Sequence, residues 1–257
     1  MKNIEIGIIG GTGGMGKWFA DFFKEEGYPV FVAGRKTGMD IPTMVKRCPV
    51  VIVSVPISST CEVIERVGPY MKKESLLTDL TSLKGEPVRS MLKSSVSEII
   101  GLHPLFGPAA DSIAGHKIAI CPVRAEKWLD WLKDILTKNG ADMIETTPER
   151  HDELMALVQV LNHLNSMTMG IILGESGVDL AELKRFATPL FNTKLGIIEK
   201  VFTNNPRLYA EIVTLNPNIH KILDRYGKTL SHLKSLINRR KTETLTKLIQ
   251  ERSIWES

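Results

Sequence analysis

Residues 4–16, Ile-Glu-Ile-Gly-Ile-Ile-Gly-Gly-Thr-Gly-Gly-Met-Gly, constrain the fold more than any other stretch of the sequence. The first half is a short apolar run, which suits a strand buried on both faces of a parallel sheet. The second half sets Gly11, Gly13 and Gly16 at G-x-G-x-x-G spacing, directly before the helical pattern of residues 17–26. In that setting Gly11 permits a tight turn, Gly13 keeps a Cβ out of the path of a pyrophosphate, and Gly16 lets helix and strand pack closely. The helix start adds unpaired N–H groups and a positive dipole end. Thr12, Gly14 and Met15 complete a loop expected to hold a dinucleotide. A glycine-rich turn in some other α/β protein has the same letters; the strand before and the helix after favour the nucleotide.

The chain then alternates strand and helix patterns. Residues 29–33 form the second strand, and Gly34-Arg35-Lys36 follows where the adenosine ribose should lie. A site for NAD carries an acid there, whereas arginine suits the 2′-phosphate of NADP, so Arg35 and Lys36 favour NADP over NAD. The first acid is Asp40, which would reverse that preference by folding back onto the ribose. Residues 50–55 are apolar and end at Pro56, placing Val55 and Pro56 on the edge that faces the cofactor, with Ser58 or Ser59 as cap of a helix beginning near Thr60. Residues 76–80 lead into Thr81-Ser82-Leu83-Lys84 at the carboxyl end of the sheet, where open α/β folds bind ligands. Residues 98–102 deliver His103-Pro104-Leu105-Phe106-Gly107-Pro108. An imidazole fixed there can take a proton from a substrate hydroxyl while hydride leaves the same carbon; the alternative is a histidine that only pins a proline-rich turn. Strands at 118–122 and 141–145, separated by a helix at 125–138, close a nucleotide domain spanning 1–146.

From Thr147-Pro148-Glu149, a helix start, the pattern turns helical throughout. Leu154, Leu157, Val158, Leu161, Leu164 and Met167 recur at three- and four-residue spacing, and residues 179–202, 206–214, 217–237 and 242–252 continue in helices. The expected architecture is therefore α/β: an N-terminal Rossmann-type, mostly parallel sheet domain followed by an all-α C-terminal domain, 147–257. So many apolar positions in long helices call for a second copy, hence a homodimer. With 257 residues and 43% hydrophobic content, the chain can bury two modest cores. Cys48, Cys61 and Cys121 have no close pairing and suggest neither disulfides nor zinc; no metal motif is present. A net charge of +4 is mild, and the basic cluster at Arg239-Arg240-Lys241 suits a solvated helix end better than nucleic acid. No basic-then-apolar leader and no uninterrupted membrane-length apolar run are evident, so a soluble cytoplasmic protein is expected.

The glycine loop, Asp79-Leu-Thr-Ser-Leu-Lys84, His103-Pro-Leu-Phe-Gly-Pro108, His151-Asp152 and Asn205-Pro-Arg-Leu-Tyr-Ala-Glu-Ile212 together resemble the prephenate dehydrogenase family over nearly the whole chain. The resemblance implies NAD(P)-dependent oxidative decarboxylation of prephenate to 4-hydroxyphenylpyruvate in tyrosine biosynthesis, or of arogenate to tyrosine. It implies His103 as the base and Ser82 as its hydrogen-bonding partner, with Lys84 a candidate for a carboxylate or the cofactor edge. Gln159 and His163, one helical turn apart, would line the cleft. Many relatives carry arginine where this sequence has Lys200, which keeps the charge and gives up the bidentate fork; either Lys200 binds prephenate less tightly, or Arg185 or Arg207 substitutes for it, or the substrate has changed. A 3-hydroxyacid dehydrogenase of similar layout and a non-enzymatic NAD(P)-sensing regulator are the competing expectations.

Overall fold

The structure, a computed structural model, describes residues 4–35 and 37–252. Lys36 lies outside the described residues. A seven-stranded sheet runs in the order β2-β1-β3-β4-β5-β6-β7, with β1 Ile6–Ile9, β2 Val30–Ala33, β3 Val50–Val53, β4 Leu76–Asp79, β5 Glu98–Pro104, β6 Lys117–Arg124 and β7 Asp142–Glu145. The first five strands are parallel, β6 pairs antiparallel with β5, and β7 runs parallel to β6. Both faces are covered, which is why the strands read as unbroken apolar runs. Ile6, Ile8, Val50, Ile52 and Leu76 meet the aromatic face of α1 (Gly14–Glu25) and α5 (Lys127–Lys138), around Phe19, Phe23, Trp128 and Trp131. The alternate residues Ile9, Val51, Val53 and Leu77 meet Met44, Ile64 and Met91 of α2 (Ile41–Arg47), α3 (Ile57–Val67) and α4 (Gly85–Ser94).

In the sheet half, three differences from the sequence expectation have an identifiable cause. Strand β5 continues to Pro104, because His103 and Pro104 still pair with Ala119 and Ile118 of β6. Helix α2 was not anticipated; its signal is Asp40, which accepts a hydrogen bond from the Thr43 N–H at 3.0 Å, with a proline in the first turn. Helix α3 starts at Ile57, directly after Pro56, so neither Ser58 nor Ser59 stands at the cap position and no side chain of the sheet half caps it.

Beyond β7 the described chain is helical. The run α6 (Pro148–Met155), a π-helical turn (Ala156–Leu161) and α7 (Asn162–Glu175) is continuous, and by length and composition alone it is long and apolar enough to cross a membrane. Gln159, Asn162, His163 and Asn165 interrupt that run in the sequence and conceal its length. Then follow α8 (Leu180–Arg185), α9 (Pro189–Glu199), a second π turn (Lys200–Asn204) and α10 (Pro206–Leu215). Side chains of Thr147, Asp179, Thr188 and Asn205 cap these helices. The expected single segment 179–202 breaks before Pro189, which cannot continue a helix and starts a new one. The chain forms two compact units, divided after Asn216. The second holds α11 (Ile219–Asn238) and α12 (Thr242–Glu251), and the basic residues Arg239, Arg240 and Lys241 sit exposed in the turn between them.

Candidate active site

The glycine loop lies at the carboxyl ends of β1 and β3, where the strand order reverses. Its tight turn is made by Gly10 rather than Gly11: φ is +85° at Gly10, and a Cβ there would stand 2.0 Å from the carbonyl oxygen of Ser54. Gly11 is required for a different reason, since its Cβ would meet the Val32 side chain at 2.9 Å. Gly16 has the expected part: a Cβ would lie 2.4 Å from Gly10 O, so helix and strand touch backbone to backbone. Thr12, Gly13 and Gly14 are exposed, and nothing lies within 4 Å of a Cβ built on Gly13. Met15 turns partly into the core. The N-terminus of α1 has no side-chain cap and no acid in its first turn. Free amides, a positive dipole end and open space above Gly13 fit a pyrophosphate. Val55 lies beside Gly10, Pro56 is exposed, and Arg35 is exposed two residues beyond β2.

His103 was expected at the mouth of the crevice; the structure buries it, with 3% of its surface exposed. The cover comes from the helical run 148–175. His103 Nδ1 meets His151 Nε2 at 2.9 Å, and His151 Nδ1 meets Asp152 Oδ1 at 2.8 Å. The same carboxylate accepts from the N–H groups of Lys84 and Gly85 at 2.8 and 2.9 Å, so it also caps α4, whose own N-cap residue, Lys84, supplies no side-chain cap. Because a carboxylate only accepts, the proton between His151 and Asp152 sits on His151 Nδ1. With that as the only proton on the His151 ring, His151 Nε2 accepts from His103 Nδ1–H, and His103 Nε2 keeps its lone pair. That atom faces the Gln159 amide nitrogen at 3.4 Å, while Gln159 Oε1 is buried without a hydrogen-bond partner among the described residues. Burial first, then the neighbouring His151 ring and the Lys84 ammonium, push the pKa of His103 well below 6.5, so the imidazole is neutral.

Ser82 does not take the place expected of it: the ring nitrogens of His103 are engaged by His151 and Gln159 instead. Lys84 is also corrected. Its side chain is fully buried, and its ammonium pairs with Asp79 and donates to Leu102 O at 2.6 Å. The Asp79 carboxylate also accepts from the Thr81 hydroxyl and N–H. Through two of its three donors this lysine ties Asp79 to the carbonyl just before His103.

His163 packs its ring against Tyr209 of α10 at 4.8 Å; burial lowers its pKa, and its Nδ1 has no partner. Residues 151, 155, 159 and 163 recur at four-residue steps, which would have flagged His151 as a companion of Gln159 and His163. Both Gln159 and Lys200 sit in π-helical turns, which recur at functional sites. Lys200 and Arg185 are exposed. Arg207 is committed elsewhere, to Glu211 at 2.8 Å and to the Ser58 hydroxyl at 3.2 Å.

Residues 33–145 match the family model described as prephenate dehydrogenase, nucleotide-binding domain, and residues 147–251 the one described as prephenate dehydrogenase, dimerization domain. A probable arogenate/prephenate dehydrogenase of Methanocaldococcus jannaschii is 34% identical across 97% of this chain and 60% of its own length. The T-protein of Haemophilus influenzae is 34% identical across 81% of this chain and 55% of its own length. The chain thus spans between half and two thirds of these curated relatives. Among solved structures, the fold matches that of an A. aeolicus prephenate dehydrogenase crystallised with hydroxyphenyl propionate and NAD+, at TM-score 0.71 and 20% identity, over 96% of this chain and 95% of that one. The glycine cradle, the imidazole chain and these matches in both halves place the chain in the prephenate dehydrogenase family.

Proposed function

We propose that this chain carries out the NAD(P)-dependent oxidative decarboxylation of prephenate to 4-hydroxyphenylpyruvate, with His103 as the base. The observation that carries the reading is the chain from His103 Nδ1 through His151 to Asp152, set at the carboxyl edge of a nucleotide-binding sheet with His103 Nε2 at its far end. NAD(P)+, when bound on the glycine cradle, supplies the acceptor for the hydride on the substrate's ring C4. His103 Nε2 takes the C4 hydroxyl proton, which makes the departure of that hydride favourable. Loss of the ring carboxylate as CO2 then aromatises the ring, and the proton returns to the phenol oxygen. No metal is needed for this sequence, because aromatisation supplies the driving force. Gln159 Oε1 and His163 Nδ1, polar atoms without partners among the described residues, are the groups proposed to meet the substrate's polar atoms, with Lys200 as the cation for a carboxylate. Ser82 and the Lys84–Asp79 pair frame the base and leave the substrate to these residues.

NADP is the proposed preference. Asp40, the one nearby acid that would hold a ribose hydroxyl, spends its carboxylate on the cap of α2, while Arg35 stands free at the end of β2. The protein is proposed to act as a homodimer joined through residues 147–257, with residues 1–146 as the nucleotide domain. Leu157, Val158, Ile171 and Ile172 on the long helix and Phe186 beyond it are exposed in a single copy. Coverage of that face by a second chain accounts for a membrane-length apolar helix without a membrane. Arogenate, which carries an amine where prephenate has a ketone, is the alternative substrate.

The test is a coupled assay with prephenate or arogenate and each cofactor. Reduced cofactor and 4-hydroxyphenylpyruvate should form one to one from prephenate, and His103→Asn should lower turnover by about 10²–10⁴ with cofactor affinity unchanged. Absence of cofactor reduction with both substrates, as a sensing regulator would give, overturns the reading.

A further inference from the structure

The mechanism above uses Asp152 to cap α4 from the helical side, and α3 has a matching arrangement that the mechanism does not use. Helix α3 follows Pro56, and no N-cap side chain satisfies its first amides. Glu211, on α10, stands there instead. Its Oε1 accepts from the Ser58 hydroxyl at 2.8 Å, and its Oε2 accepts from the Ser58 N–H at 3.4 Å. Arg207 closes the group through Glu211 Oε1 at 2.8 Å and the Ser58 hydroxyl at 3.2 Å. The carboxylate is largely sequestered although its partners are exposed. A negative charge at a helix start is favourable, and here it arrives from 153 residues away in the sequence.

Position gives this contact its consequence. Two residues before Glu211 on the same helix, Tyr209 packs on His163, and His163 is one turn from Gln159, which touches His103. Two to three residues before Ser58, Val55 and Pro56 form the turn that leaves β3 beside the glycine cradle. A single ten-residue helix therefore touches the substrate side and the start of the cofactor-side helix at once. We propose that Glu211 is a positioning residue: by capping α3 through Ser58 it sets the Val55–Pro56 turn, and so transmits occupancy between the substrate side and the nucleotide edge. This inference rests on the functional reading above and adds a residue to it.

The test measures binding, which needs no turnover. NADP+ is titrated into the full chain with and without saturating 4-hydroxyphenylpyruvate, for the wild type, Ser58→Ala, Glu211→Ala, Glu211→Gln and the double variant Ser58→Ala/Glu211→Ala. In the wild type each ligand should raise the affinity for the other by about fivefold or more. Glu211→Ala should bring that factor close to one, Ser58→Ala should lower it partly, the double variant should lose no more than Glu211→Ala alone, and Glu211→Gln should restore part of it. Ser58 is exposed, so its variant tests the link even if Glu211→Ala fails to fold. A factor that is unchanged across the variants, or that is absent in the wild type, overturns the inference, as does a uniform loss of both affinities with the factor retained, which is what a structural cap alone would give. Failure of the wild type to bind 4-hydroxyphenylpyruvate strikes the functional reading instead.

Discussion

The sheet half and the helical half treat apolar surface in opposite ways. Strands β1, β3 and β4 are buried along their whole length, and two hydrophobic clusters fill the two faces of the sheet. The long helix 148–175, by contrast, leaves Val158 and Ile172 each 60% exposed, and Phe186 beyond it is 81% exposed. Besides apolar residues such as Met155, Val160 and Ile212, this helical half brings polar groups to the sheet: His151, Asp152 and the amide of Gln159, with Glu211 from α10. The contrast indicates a division of tasks. The sheet half carries the nucleotide-binding fold; the other half supplies helix caps and the histidine chain inward, and its exposed apolar face is the one proposed above to meet a second copy.

The strongest way to break this division is to remove the inward chain. Asp152→Asn puts a donor where His151 and the Lys84 and Gly85 amides need an acceptor, so the tautomer at His103 is no longer enforced. Turnover should fall by up to about 10⁴-fold with cofactor KM nearly unchanged, as for a carboxylate that orients a catalytic imidazole; steady-state kinetics with both substrates checks it. The outward face is tested by Val158→Glu, which places a charge in the proposed interface. Loss of one buried contact residue there should weaken the dimer by about 30-fold, read by analytical ultracentrifugation, while the secondary structure is retained. A smaller and more selective effect is expected at the nucleotide edge. Arg35→Ala should weaken NADP+ by about tenfold, the lower end for a lost hydrogen bond to a charged group, and leave NAD+ unaffected. Equal affinities before and after would remove the basis for the NADP preference.

Much of the sheet half was legible in the sequence, because a doubly covered parallel strand is written as an apolar run and a G-x-G-x-x-G turn has few alternatives. The site was legible only in part. His103 and its loop stand out by their prolines and their position after β5, and the resemblance marked His151-Asp152 without assigning a part to either. The rest depends on contacts distant in sequence. Nothing local says that Lys84 turns inward to Asp79 and Leu102 rather than out to a ligand, since a lysine after a strand is ordinarily solvated. The capping of α3 and α4 by Glu211 and Asp152 was illegible for the same reason: a cap is sought among neighbouring residues, and these come from 153 and 67–68 residues away. Gly10 escapes notice because the G-x-G-x-x-G spacing is met by Gly11, Gly13 and Gly16, whereas counting from Gly10 lands on Thr12 and Met15.

The central claim is that His103 is a neutral base kept so by burial and by the chain behind it. Its pKa lies below the ordinary histidine value of 6.5, so the competent unprotonated form persists as the pH falls through 6.5 and is lost only further down. The pH dependence of kcat/KM for prephenate measures this directly. The account requires a plateau extending below pH 6.5, with the acid limb falling further down and absent from the residual activity of His103→Asn. An acid limb at or above 6.5 in the wild type, or one that survives unchanged in His103→Asn, would contradict it.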